Sequence, residues 1–196
     1  MHLPLLPPSS LSSEQKELYD DIMDVVKESF GSFIVTRQDG ALIGPFNAML
    51  HFPVFGRAAW AMNKTMYKHT TLPKSVLQVA VLVTGTRLGA TYQIYGHEHL
   101  AESAGVRAGK IATIVAGERP TDLTGEEAVP YDVAAALNRG APLPETLYQA
   151  GIDAFGEQGM GEIIYLVGCF HLIGIILNGY DVSVPGREDG VGLRQA

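Results

Sequence analysis

The 196-residue chain carries a single cysteine, Cys169, which excludes an internal disulfide and any Cys-x-x-Cys redox or metal pair. That usage fits a reducing, cytoplasmic compartment. No cluster of lysine and arginine stands out, and the net charge is -7. Nucleic-acid binding needs a basic face to neutralise phosphates, so neither nucleic acid nor an anionic membrane surface is expected as a partner. The most apolar run, residues 163–177, is shorter than the roughly 20 residues a membrane-spanning helix requires. It contains His171 and is followed by Asn178, and it reads as a buried core helix. The first ten residues lack lysine and arginine and are broken by prolines, unlike a secretory signal. β-Strand alternation is missing, apart from a weak pattern over residues 33–36.

What is present is helical patterning in one domain, 1–196, a length sufficient for a sizeable core. Ser12 followed by Gln15 makes a capping box, and Leu18, Ile22, Val25 and Val26 recur at helical spacing. This first helix is expected to end near residue 31. Residues 32–50, with Asp39-Gly40 and Gly44-Pro45, read as a loop. Further helices are predicted over 53–67, over about 73–87 with Thr71 as its cap, and over the stretch ending at Gly105. Others are predicted over 107–116, 131–138, 144–155 and from 159 or 160 to 178. Residues 117–129 read as an acidic connector, and residues 1–11 and 186–196 as loose ends. The fold class is all-α.

Residues 88–106 concentrate the chemistry: two tyrosines, two histidines, a glutamine and glutamates among small residues. On a helix, Gln93 and His97 share a face, and Tyr92, Tyr95 and His99 follow one another at offsets of three and four. His97 and His99 lie about 200° apart at about 100° per residue, so one pocket cannot easily hold both. The His97-Glu98-His99 run also lacks the His-x-x-x-His spacing that sets two imidazoles on one face, and no metal site is predicted.

The pattern Tyr92-Gln93-x-x-x-His97-x-x-x-Ala101-x-x-x-Gly105, preceded by Leu72-Pro73 and an apolar helix, resembles the carboxymuconolactone decarboxylase and alkylhydroperoxidase D family. So does Gly44-Pro45-Phe46-Asn47 followed by the Leu-x-x-Pro turn at 50–53, and so does the run from Leu177 to Pro185. Together these cover residues 42–185. The resemblance implies a helical bundle with a helical-hairpin core, assembled as a homo-oligomer, a trimer or hexamer. Two positions depart from the family pattern. Gln78 stands where the family usually has glutamate, and Tyr92-Gln93-Ile94 where Tyr-Glu-Trp is common. An amide forms hydrogen bonds but does not titrate. The missing Cys-x-x-Cys pair removes dithiol peroxidase chemistry, which needs an attacking and a resolving thiol.

The resemblance therefore implies a cofactor-independent, decarboxylase-like lyase acting on a small carboxylated lactone or enone. His97 would be its general acid or base, with Tyr92 and Gln93 as donors that stabilise an enolate. The alternatives are an isomerase, dehydratase or cyclase on the same scaffold, or a non-catalytic small-molecule binder. Gln78, Arg87, Asn47, Phe46, His51, Tyr95 and His99 are the candidate substrate contacts, with Gln78 expected to meet Gln93 across two helices. Phe52, Phe55 and Trp60 read as core or pocket wall, and His171 as a hydrogen-bonded core histidine.

Overall fold

In a computed structural model, residues 1–29 and 35–185 are described. Among them, eight α-helices and one 3-10 turn, Pro8–Ser10, form the molecule. The helices are α1 (Ser13–Ser29), α2 (Pro45–His51), α3 (Pro53–His69), α4 (Lys74–Leu88), α5 (Thr91–Ser103), α6 (Ala108–Val115), α7 (Gly125–Leu137) and α8 (Glu145–Gly179). Among the described residues, one isolated antiparallel β-bridge joins Thr36 to Leu42 around the Asp39-Gly40 turn.

α4 is the central element because its sequence is apolar on every side. Every residue from Val76 to Gly85 is buried, as a helix that is apolar all round demands. It packs on α5, α7 and α8. Val76, Val79, Val81 and Val83 are β-branched and only modest helix formers; burial offsets that deficit at about 1.5–3 kcal/mol per large apolar side chain. Gly89 then ends the helix in the left-handed conformation (φ 62°).

The ends of α1 and α5 follow the sequence. Ser12 N–H donates to Gln15 Oε1 at 2.9 Å, and Gln15 N–H to Ser12 Oγ at 3.3 Å. Gly105 adopts φ 87° just past α5. Three expectations need correction. Residues 45–51 form α2 rather than loop, because Pro45 occupies a first-turn position where no N–H is needed. Thr71 does not cap α4; its N–H and Oγ1 bind the Glu162 carboxylate at 2.8 and 2.9 Å. The acidic connector is shorter than predicted, since Thr124 and Glu127 form a reciprocal cap that starts α7 at Gly125. The two last helices are seen as expected: Glu145–Gly179, labelled α8 as a whole, is broken between them at Gly156 (φ 70°, ψ 175°). The expected end of α1 near residue 31, most of the 33–36 pattern and the tail 186–196 lie outside the described residues.

α8 is long and apolar enough to cross a membrane by length and composition. Its inner face is spent in the bundle, where Ile163, Leu166, Phe170, Ile173 and Leu177 are buried and the helix packs on α4 and α7.

Candidate active site

The buried face of α5 consists of Tyr92, Gln93, Gly96, His97 and Ala101. Where it meets α2, α3 and α8 there is a cavity of about 40 Å3. Tyr92, Gln93 and His97 share its lining with Phe46 from α2, Asn63 and Tyr67 from α3, and Phe170, Ile173 and Leu177 from α8. Backbone close-packing holds this arrangement. Gly44 has φ 68°, and a Cβ there would stand 2.5 Å from the Tyr92 ring. A Cβ on Gly174 would stand 2.6 Å from Leu88 and 3.3 Å from Gln93 Oε1. The Gly44-Pro45 pair therefore meets the tyrosine of the α5 motif directly in space.

His97 is buried, and its Nδ1 lies 2.7 Å from Gln78 Oε1. A carbonyl oxygen only accepts, so Nδ1–H donates and Nε2 keeps its lone pair. Phe170 packs edge-on against the ring, with centroids 4.9 Å apart. Burial lowers the imidazole pKa from 6.5 to about 3, leaving the ring neutral at neutral pH. Burial, with a smaller push from Tyr95, raises the Tyr92 pKa, so its hydroxyl stays protonated.

Two atoms at this site are orphaned. Tyr92 Oη and Gln93 Oε1 are buried without a hydrogen-bond partner, while Gln93 Nε2 donates to the Val81 carbonyl at 3.2 Å. Buried polar atoms are nearly always satisfied, and exceptions concentrate where a ligand or water binds. The set comprises one O–H donor, one amide acceptor and one imidazole lone pair, within largely apolar walls.

Cys169 lies beside this site but is not a nucleophile. Burial raises its pKa to about 11, and its Sγ accepts a weak hydrogen bond from Asn63 Nδ2 at 3.8 Å. A thiol this far from its thiolate form is inert. Among the described residues, no group of three or more His, Cys, Asp or Glu side chains could hold a metal ion.

The structure thus brings His97, Tyr92, Gln93, Phe46 and Gln78 together and separates the other sequence candidates. No hydrogen bond joins Gln78 to Gln93: Gln78 Oε1 accepts from His97, Gln93 Nε2 donates to Val81, and Gln93 Oε1 has no partner. Asn47 is buried, but Leu6 N–H donates to its Oδ1 and its Nδ2 donates to the Pro4 carbonyl, both at 3.1 Å. His51 is likewise tied to the Pro4 carbonyl, at 2.7 Å. Both residues pin the N-terminal segment rather than line the cavity. Tyr95 packs edge-on against Tyr92, with ring centroids 6.2 Å apart, outside the lining. His99 is exposed, because the three-and-four arithmetic that groups it with Tyr92 says nothing of depth. Arg87 is exposed on a different groove. Phe52 and Phe55, expected in core or pocket wall, are surface residues. His171 bonds Asn138 at 3.1 Å.

Sequence reasoning missed Asn63, Tyr67, Phe170, Ile173 and Leu177. The last three lie on the inner face of α8, where Phe170 and Ile173 read only as core and Leu177 as the start of the C-terminal motif, and no local motif marks Asn63 or Tyr67.

No protein-family model matches the sequence, and no curated protein does. Solved structures match over nearly the whole chain. One is an uncharacterised peroxidase-related protein of alkylhydroperoxidase AhpD core from Ralstonia eutropha JMP134. Its TM-score is 0.76 at 15% identity, covering 95% of this chain and 93% of that one. Another is the debrominase Bmp8 without ligand, with TM-score 0.70 at 13% identity over 92% of both chains. A cysteine-to-alanine form of Bmp8 in complex with 2,3,4-tribromopyrrole gives 0.69 at 13% identity, over 97% and 94%. The chain has the all-α alkylhydroperoxidase D-like fold, as the motif resemblance implied.

Proposed function

We propose that this protein is an enzyme that moves a proton on a small lactone or enone, with the His97 cavity as its active site. The observation that carries this reading is the fixed tautomer of His97. Donation of Nδ1–H to Gln78 leaves Nε2 with its lone pair in the same cavity as a protonated, unpartnered Tyr92 hydroxyl. Burial makes this imidazole a weak base, so proton abstraction depends on the Tyr92 hydrogen bond to the forming enolate. A carbonyl oxygen of the substrate accepts from Tyr92, and the adjacent carbon gives its proton to His97 Nε2. The resulting enolate keeps the Tyr92 hydrogen bond, which strengthens as charge develops. Return of the proton to a different carbon completes an isomerisation. The structural neighbours, a peroxidase-related protein and a debrominase, agree with small-molecule chemistry on this scaffold. The one buried, protonated cysteine argues against thiol chemistry here.

Decarboxylation is the second reading, favoured by the absence of lysine or arginine in the lining. A carboxylate there is poorly solvated, and losing its charge as CO2 relieves that cost. In this variant the substrate's carboxyl group gives its proton to His97 Nε2, the C–C bond breaks to release CO2, and His97 returns that proton to the carbanion. The cavity has room for a few waters only, so substrate binding requires lining side chains to move.

The test is NMR-detected deuterium exchange into a butenolide, alongside CO2 release from 4-carboxymuconolactone. Wild type should catalyse one of them, and His97→Gln should be slower by about 10²–10⁴-fold, the usual scale of a lost acid–base group. Catalysis of either reaction that survives His97→Gln refutes the assignment. Binding of lactone without turnover in either form would indicate a binder instead. We also propose a homo-oligomer, supported by apolar side chains on the outer surface: Val54 and Phe55 on α3 and Tyr165 and Ile175 on α8 are each more than half exposed.

A further inference from the structure

The helix that delivers Gln78 to His97 has a second face with its own chemistry. At about 100° per residue, Gln78, Val81 and Gly85 fall on one side of α4, and Val83, Thr86 and Arg87 on the other. The second side floors a surface groove of about 590 Å3, walled by α6, α7 and the start of α8. It shares no lining residue with the His97 cavity. Its size falls in the range of about 300–1,000 Å3 typical of small-molecule pockets.

Three arginines line it, Arg87, Arg119 and Arg139, against one carboxylate, Asp132. This local surplus of positive charge stands out in a chain of net charge -7. Asp132 is committed to Arg119, which donates through Nε and a terminal nitrogen at 2.8 Å each. Arg119 also lies over the Tyr131 ring, 5.7 Å from its centroid, and is thereby held as a fixed cationic wall. Arg87 and Arg139 are exposed, and no acidic side chain among the described residues pairs with either. Glu118, which is exposed, adds a negative charge on the Tyr131 side.

Thr86 supplies the independent observation. Its Oγ1 is buried and has no hydrogen-bond partner. Two residues earlier, Thr84 makes the usual helical back-bond to the Ala80 carbonyl at 2.8 Å; Thr86 makes none. The groove therefore offers two unpaired guanidinium groups, and the buried Thr86 hydroxyl beside its floor has no bond to break in turning toward a ligand; together these donors suit an oxyanion. Val83, Ile114, Ala135 and Leu147 supply apolar wall.

We propose that this groove is a second small-molecule site, for an organic carboxylate with an apolar body. The carboxylate is held by Arg87, Arg139 and the Thr86 hydroxyl, and the body lies against Val83, Ile114 and Leu147. The proposal is independent of the reaction at His97.

The test is calorimetric titration of the full chain with 2-naphthoate, with 2-naphthol as its neutral counterpart and inorganic phosphate as a bare anion. Naphthoate should bind saturably at one site per chain, more tightly than either control. Arg87→Gln and Arg139→Gln should each weaken it about tenfold, and Thr86→Val several-fold, while His97→Gln leaves it unchanged. Both arginines are exposed, so these variants keep the fold, which circular dichroism checks. Absence of saturable binding, binding insensitive to both arginine variants, or binding lost in His97→Gln overturns the site. Phosphate binding as tight as naphthoate overturns the requirement for an apolar body.

Discussion

His97 donates its Nδ1 proton to an amide, where the family pattern has glutamate, so no negative charge compensates an imidazolium there. Burial alone sets its pKa, near 3. The consequence for stability has a definite sign. Below pH 6.5 the unfolded chain takes up a proton at this residue that the folded chain refuses until about pH 3. The folded pKa is depressed, so the stability that neutral His97 contributes is intact above pH 6.5 and lost as the pH falls toward 3. The slope is at most about 1.4 kcal/mol per pH unit. Urea melts of wild type and His97→Gln between about pH 6 and pH 4 measure the difference in slope directly; parallel curves would mean that the folded imidazole is already charged. Restoring the carboxylate tests the same electrostatics. Gln78→Glu should raise the His97 pKa by one unit or more, because an adjacent opposite charge favours the protonated form. NMR titration of the imidazole reads that shift, and the pH dependence of catalysis should move with it.

Among elements, the junction of the turn before α2 with α5 is the most constrained. Gly44 needs both a positive φ and the absence of a side chain, since a Cβ would enter the Tyr92 ring. Gly44→Ala should cost well over 1 kcal/mol, more than the ordinary effect of an unfavourable φ alone, and should displace Tyr92. Thermal unfolding and tyrosine fluorescence report the two effects separately. The α7 cap offers a milder test. Thr124→Ala removes the hydroxyl that accepts from Glu127 N–H at 3.3 Å and should cost about 0.5–2 kcal/mol, measured by urea melts at neutral pH. The Thr124–Glu127 cap went unread in the sequence because Glu126 and Glu127 followed other acidic residues and looked like solvated connector. The Ser12–Gln15 box, which opens a clear apolar period, was legible. α2 was misread for a related reason: Gly44-Pro45 signals a turn and a helix start equally well, and only packing against α3 distinguishes them.

At the scale of the whole molecule, the surface retains more apolar area than the core can use. Phe52, Phe55, Leu172, Ile176 and Tyr180 border a surface groove of about 580 Å3 between the start of α3 and the end of α8. Phe55 is 78% exposed and Ile175 53%, and large contiguous apolar patches mark interaction sites. If a second copy covers them, the double substitution Phe55→Asp, Ile175→Asp should reduce the mass measured by light scattering while leaving the helical circular dichroism intact. An unchanged oligomer would place the interface elsewhere.

The amino-acid sequence by itself determined the all-α class, most helix boundaries and the burial of the Tyr92-Gln93-His97 face, because these depend on local period, caps and breakers. It also removed dithiol chemistry, since one cysteine cannot form a pair. Only the tertiary structure decided which residues meet. It assigned Gln78 to His97 rather than to Gln93, gave Asn47 and His51 to the N-terminal backbone, brought Phe170 and Asn63 into the cavity, and turned Arg87 to the opposite side of α4. Helical spacing specifies direction around one axis. Depth and partners depend on how the separate axes cross, and that follows from packing the whole core at once.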